Sequence, residues 1–400
     1  MITFDFKTYR NNIINDAEIV VYEAKLKGIS SYFEAHQNMM GWAKLKQLTN
    51  LELISDIVKT SSYIRNNCDV FLVVGIGGSY LGSLAVIEAL NPYFYNNTRR
   101  PEIYYVGNSL SSEYIIELKE LIKSKNIIVN YISKSGKTFE TDLAYKLIFE
   151  LMQEKYTIEE IKTRIIFTTG EVKAVGEGYK TFEIPANVGG RFSVFTPVGL
   201  LPIAVAGINI EDLLRGAIDS QKTTSYQMRY AIIRDIMSNK EKQVEAFVAY
   251  EPKLTAFIEW LKQLYAESLG KDEKGLLPIG VINTRDLHSV GQYFQAGSKI
   301  LFETVFNVTE VKKDIMIDRY QKSLNEINNI ASTATSMAHY KVNVLNNIIN
   351  LDKLDAYNMG YLLQFFMISC AISGYLEGVN AFNQDGVEEY KKIMRDLIDR

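Results

Sequence analysis

Two cysteines in 400 residues leave no room for a disulfide framework; Cys68 and Cys370 allow one bridge at most. Both sit in apolar stretches, which reads as buried free thiols and makes the cytoplasm the expected compartment. Histidine is as scarce, with only His36, His288 and His339. No Cys/His spacing matches a zinc site and no segment matches an EF-hand loop, so no metal or other cofactor is expected. A basic excess is lacking: 44 Lys and Arg against 47 Asp and Glu give a net charge of −3. That argues against a nucleic-acid partner but leaves room for local cationic sites facing a small anion. Met1 to Lys7 lack the basic and then apolar pattern of a signal peptide. Two stretches lack charge altogether, Phe192 to Ile210 and Gly360 to Leu376. Pro197, Gly199, Pro202 and Gly207 interrupt the first, and Gln364, Ser369 and Ser373 the second. Both read as helices buried in a large α/β core, and no membrane partner is expected.

What is present is the composition of a globular protein, 47% hydrophobic and 23% charged. A short apolar run, Val70 to Val74, stops at Gly75 and leads into a helix over Ser83–Ala89. The same strand-then-glycine-or-hydroxyl grammar returns at Ile103–Val106, Ile127–Ile132 and Arg164–Thr168. After Ile210, further strands are expected at Glu245–Ala249, Leu277–Ile282 and Thr304–Val308, with a helix over Leu254–Tyr265. Strands alternating with helices imply mainly parallel sheets covered on both faces, in two doubly wound α/β domains. The expected division is a helical segment over 1–60, α/β domains over 61–205 and 206–380, and a loop and amphipathic helix over 381–400. That last helix carries Val387, Tyr390, Ile393, Met394 and Leu397 on one stripe.

In such folds ligands sit beyond the carboxyl ends of the strands, so the loops there are the places to search. Gly75-Ile76-Gly77-Gly78-Ser79-Tyr80-Leu81-Gly82 lets a ligand approach the backbone, with helix amides available for a phosphate. A dinucleotide fingerprint would want glycine at Tyr80 and an acid where Gly107-Asn108 stands, which weakens that reading. Ser133-Lys134-Ser135-Gly136-Lys137-Thr138 gathers hydroxyls, amides and two ammonium groups, a composition suited to a phosphate dianion. Its Gly136-Lys137-Thr138 copies the end of a P-loop, but the loop's first glycine would fall at Tyr131 inside a strand. Arg191, in Gly189-Gly190-Arg191-Phe192-Ser193, precedes buried sequence and needs a partner: a structural carboxylate or an anionic intermediate. Glu267 ends a helix, His288 follows a strand, and Gln384 and Lys391 lie in the C-terminal segment; singly, each is as consistent with a structural role.

Taken in order, the segments Gly75–Gly82, Ser133–Thr138, Gly189–Pro202, Ala266–Lys271, Asp286–Gln292 and Phe382–Lys391 resemble the successive signatures of the phosphoglucose isomerase family in its shorter bacterial form. The resemblance implies two sugar-isomerase (SIS) α/β/α sandwich domains and an arm-exchanging homodimer with a shared active site. It also implies isomerisation of a hexose phosphate, glucose 6-phosphate to fructose 6-phosphate, through ring opening and an enediolate, in glycolysis and gluconeogenesis. By matching position, Gly78, Ser79, Ser133, Lys134, Ser135 and Thr138 would hold the phosphate end and Gln384 would contact substrate. Glu267 would be the proton-transferring base, Arg191 the cation beside the enediolate, and His288 and Lys391 the ring-opening pair. Lys137, Ala381, Asn383 and Asp385 depart from the family pattern, the last three around Gln384. A sugar-phosphate sensor on the same fold and a nucleotide-dependent kinase stay open as alternatives.

Overall fold

The computed structural model describes residues 2–10, 13–136 and 138–398. The departure at Lys137 lies outside the described residues. In chain order the strands are β1 (Ile2–Asp5), β2 (Val70–Val74), β3 (Glu102–Val106), β4 (Ile127–Ser133), β5 (Ile165–Thr169) and β6 (Lys180–Glu183). There follow β7 (Val244–Ala249), β8 (Leu277–Ile282), β9 (Leu301–Val308), the short β10 (Met316–Ile317) and β11 (Lys322–Ser323), and β12 (Asn346–Leu351). They form two five-stranded sheets, ordered β3-β2-β4-β5-β6 and β1-β12-β9-β7-β8, and a small β10-β11 hairpin. The first sheet is parallel throughout; in the second only β1 runs antiparallel, against β12.

Side chains alternate across each strand, and both faces of each sheet are covered. Phe71 and Val73 enter a central core, while Val70, Leu72 and Val74 enter a second core on the outer face. Phe247 and Ala249 join the same central core, and Ala246 and Val248 a third. Both uncharged stretches end up in that centre. All nine residues of the helix Pro197–Val205 are buried, as are most of the helix Ala356–Glu377. The latter is long and apolar enough to cross a membrane, yet most of it is enclosed by protein. Cys68 and Cys370 are buried free thiols.

Five strands were not among those expected: β1, β6 and β12 of the large sheets, and the two short strands of the β10-β11 hairpin. β1 lies in the stretch read as helical; it is a four-residue edge strand whose Phe4 stacks on Phe365 at 4.7 Å, a tertiary contact with no local signature. β6 is a short edge strand with charge at both ends. β12 carries three asparagines in six residues, an unfavourable composition overridden by its pairing between β1 and β9. Arg164 closes a helix rather than opening β5.

In the first sheet β2 is followed by β3 on one side and by β4 on the other. The order reverses at β2/β4, and in open α/β sheets ligands bind beyond the carboxyl ends of the strands at such a point. The loops leaving these two strands are Gly75–Gly82 and Ser133–Thr138, the two singled out for anion binding.

Candidate active site

The β2 loop is pressed against the turn that carries Arg191. A Cβ built on Gly78 would lie 2.2 Å from the carbonyl carbon and oxygen of Gly190, so only glycine permits this approach. Ser193 Oγ closes the same turn by donating to Gly190 O at 2.7 Å. Arg191 is thereby driven inward, with 1% of its surface exposed. Phe192 beside it stacks on Trp42 at 4.9 Å and fixes the backbone from the other side.

A buried guanidinium requires acceptors for its five N–H groups, and Arg191 finds them all. Nε donates to Ser268 Oγ at 2.7 Å, and Nη2 to Ala381 O at 2.7 Å and Asn383 O at 2.8 Å. Nη1 donates to Gln384 Oε1 at 2.7 Å and, more weakly, to Glu267 Oε2 at 3.5 Å. Burial lowers the Arg191 pKa and the Glu267 carboxylate opposes that shift.

Glu267 comes from the helix Thr255–Leu269, which stops before Gly270. One turn earlier Gln263 occupies the same face and donates Nε2 to Glu267 Oε1 at 3.0 Å. The carboxylate is held at both oxygens yet keeps 28% of its side chain exposed. It is oriented and still reachable.

Gln384 arrives from the other end of the chain. The helix Ala356–Glu377 ends at Gly378, whose left-handed φ of 69° turns the chain back toward Arg191. Phe382 then inserts beside Phe192, with centroids 5.8 Å apart, and Tyr32 donates its hydroxyl to Val379 O at 3.0 Å.

Of the expected site residues, the structure brings together Gly78, Arg191, Glu267 and Gln384. Ser79 lies in the β2 loop itself, within the turn Gly77–Ser79. Ser133 is buried at the end of β4, and Ser135 is exposed just beyond it. Thr138 stands at the N-cap of the helix Phe139–Lys155 without a side-chain capping bond. Lys134 departs from a simple phosphate-binding role: its ammonium is spent on Ala186 O at 2.8 Å and Val188 O at 2.9 Å, bracing the approach to Gly189. Burial lowers its pKa.

His288 and Lys391 are not brought to this cluster within one chain. His288 ends an exposed turn after β8. Lys391 pairs with Glu388 at 2.8 Å on the helix Glu388–Ile398. The sequence reading assigned no role to Gln263, Ser268 or Lys271. The four-residue spacing of Gln263 from Glu267 was the available signal for the first; Ser268 is defined by its bond from the distant Arg191 side chain and Lys271 by distant backbone carbonyls.

The Phosphoglucose isomerase family model matches residues 41–301. The chain belongs to the phosphoglucose isomerase family. It is 45% identical over 390 residues to glucose-6-phosphate isomerase of Staphylococcus epidermidis, covering 91% of this chain and 88% of that one. It is 44% identical over 388 residues to glucose-6-phosphate isomerase of Clostridioides difficile, covering 90% and 86%. A crystal structure of a hypothetical protein from Thermus thermophilus superposes over the whole of both chains with a TM-score of 0.90 at 26% identity. The paired SIS-type sandwich is therefore the fold of this chain, as the family resemblance implied.

Proposed function

We propose that the chain interconverts glucose 6-phosphate and fructose 6-phosphate, with Glu267 carrying the proton between C1 and C2. The observation that carries this reading is the Glu267 carboxylate, oriented by Gln263 and set 3.5 Å from a buried arginine, beside the loop that leaves β2. As carboxylate, Glu267 removes the proton beside the carbonyl of the open-chain sugar, and the electron pair moves onto the carbonyl oxygen. Arg191 faces that charge as a fixed cation. Its longest bond, from Nη1 to Glu267, weakens when Glu267 accepts the proton and can turn to the new oxyanion. The hydroxyl proton on the neighbouring oxygen passes to that oxyanion, and Glu267 then returns its proton to the carbon that bore the carbonyl, so that the deprotonated oxygen becomes the new carbonyl. The two carbons are adjacent, so one base serves both.

The phosphate end is assigned to Ser79, Ser133, Ser135 and Thr138 and to the amides opening the helix Phe139–Lys155. Gly136, with φ of 61°, supports the tight turn there. His288 and Lys391 are assigned to ring opening, His288 from the partner in a homodimer. Two features support a second copy. Tyr390, Ile393 and Leu397 leave an apolar face half exposed on the last helix. Val311, Ile315, Met316 and Tyr320 do the same around the β10-β11 hairpin.

The test is conversion of fructose 6-phosphate in a coupled assay with added chelator, repeated in deuterium oxide. Turnover with deuterium at C2 of the glucose 6-phosphate formed supports a carboxylate carrier that exchanges with solvent. Tight hexose-phosphate binding without turnover would favour a sensor; turnover lost to chelator would refute the metal-free proton transfer.

A further inference from the structure

Lys271 lies four residues after Glu267, just beyond the helix end. Its ammonium sits where three backbone carbonyls converge: Ser268 O at 2.9 Å, Asn383 O at 2.9 Å, and Asn380 O in a short bond. The Asn383 carbonyl is shared, since Arg191 Nη2 donates to it as well. Two cations thus grip residues 380–383, Arg191 through Ala381 and Asn383, Lys271 through Asn380 and Asn383. Tyr32 and Phe382 anchor the start of this loop; at Asn383, the residue that presents Gln384 to Arg191, the backbone carbonyl is held by the two cations.

The surroundings of Lys271 are unusual for a lysine. Among the described residues it has no carboxylate ion pair. Arg191 faces it from the Gly190 turn, Glu267 from its own helix, Asp385 from the C-terminal loop and the Cys370 thiol from the helix Ala356–Glu377. Asp272, Glu273 and Lys274 follow it in sequence. Three neutral carbonyls, rather than an anion, take its protons.

We propose that Lys271 is a positioning residue, a proton-dependent latch that holds the 380–384 loop, and with it Gln384, against Arg191 during isomerisation. The inference rests on the isomerase reading above and adds a residue to it. An ammonium group satisfies three acceptors at once; a neutral amine has two N–H groups and a lone pair. On deprotonation at least one carbonyl loses its donor, the remaining bonds lose their charge assistance, and a positive charge beside Arg191 disappears. All three changes loosen Gln384 or weaken stabilisation of the oxyanion. Burial, and then the neighbouring Arg191, bring the Lys271 pKa down from 10.5 to about 8, so the change falls at mildly alkaline pH.

The experiment compares kcat and KM from pH 6.5 to 9.5, ranges chosen to bracket that value by roughly 1.5 units each way, in the wild type, Lys271→Arg and Lys271→Met. Each profile is normalised to its own value at pH 7. The wild type should lose kcat with a midpoint near pH 8. In Lys271→Arg, which stays charged, that limb should vanish. Lys271→Met should show no limb and a kcat lower by roughly tenfold or more, as expected for a misplaced contact group. A wild-type limb that persists in Lys271→Arg, or an unimpaired kcat in Lys271→Met, would overturn the latch. Should Lys271→Met fail to fold, the Lys271→Arg profile decides alone.

Two controls separate the possible failures. Folding lowers this lysine's pKa, so between about pH 8 and 10.5 the unfolded chain binds more protons and the contribution of Lys271 to stability rises with pH. Loss of rate without loss of melting temperature therefore marks release of the latch rather than unfolding. Independently of any turnover, NMR titration of the lysine side chains should show a group near pH 8 that is missing from Lys271→Arg. A wild type without isomerase activity would remove the isomerase reading. A Lys271 titrating at the ordinary 10.5 would remove the latch whatever the reaction.

Discussion

Replacing Glu267 with glutamine keeps the side chain's shape, removes one charge and turns the oxygen facing Arg191 into an amide NH2. The amide oxygen can still accept from Gln263, and four of the five Arg191 bonds do not involve residue 267. The lost interaction is a 3.5 Å contact to a carboxylate that is 28% exposed, worth on the order of 1 kcal/mol in stability. The protein should fold and should still bind fructose 6-phosphate through the Ser133 loop. Turnover is another matter. A positioned general base supplies roughly 10²–10⁴-fold, equivalent to about 2.7–5.4 kcal/mol of barrier at 1.36 kcal/mol per decade. The assay pairs kcat from coupled turnover with substrate-dependent stabilisation on heating, so binding and chemistry are read on one preparation. A kcat within about threefold of wild type would refute the proton-carrier role, since no general base is worth so little. A lost kcat with lost binding would instead place Glu267 in substrate recognition.

Gly78→Ala forces a methyl group into the Gly190 backbone and should cost about 1–3 kcal/mol, read as a lower denaturant midpoint, together with reduced kcat. Ser135→Ala should mainly raise KM; a fall confined to kcat would count against the phosphate assignment. If His288 serves its partner's site, mixing inactive Glu267→Gln and His288→Asn homodimers under subunit exchange should restore up to about a quarter of wild-type activity. No recovery despite exchange would assign His288 and Glu267 to the same chain's site. Glu377 has both carboxylate oxygens buried, its Arg234 contact is 3.8 Å long, and burial raises its pKa to about 7. The native state therefore holds this proton more tightly than the unfolded chain, and stability falls as pH rises from the usual carboxylate range through about 7. Glu377→Gln should remove that decline and stabilise the protein above it by on the order of 3 kcal/mol; unchanged denaturation curves at pH 8.5, about 1.5 units above the titration, would refute the assignment.

The fold was legible where apolar runs end in glycine or hydroxyl residues. β2, β3, β4 and β8 were expected within a residue or so, because a buried parallel strand must be apolar and its turn must be permissive. β1 and β12 escaped because their pairing joins the chain's beginning to residues near 350, and no local pattern encodes a partner so distant. At the site, Glu267, Arg191 and Gln384 were nameable through the family resemblance, and the structure sets them in contact. Ser268 and Lys271 were not named, because their value lies in bonds to Arg191 and to backbone carbonyls more than a hundred positions along the chain. Lys134 illustrates the converse: its charge and loop suggested phosphate, while two carbonyls of residues 186–188 claim its ammonium.

These observations bear on why the cluster is built around a buried arginine. An exposed guanidinium beside the substrate would be screened and mobile; a buried one acts at low dielectric but must be neutralised by dipoles at every N–H. Arg191 meets that demand by recruiting acceptors from the helix after β7 and from the C-terminal loop, while its own turn is pressed against the loop after β2. The arginine therefore cannot be fully satisfied until both sheets and the C-terminal loop have come together. Its burial makes the oxyanion-facing charge available only in the assembled fold, and a Lys271 placed on the same Asn383 carbonyl makes that assembly sensitive to a single proton.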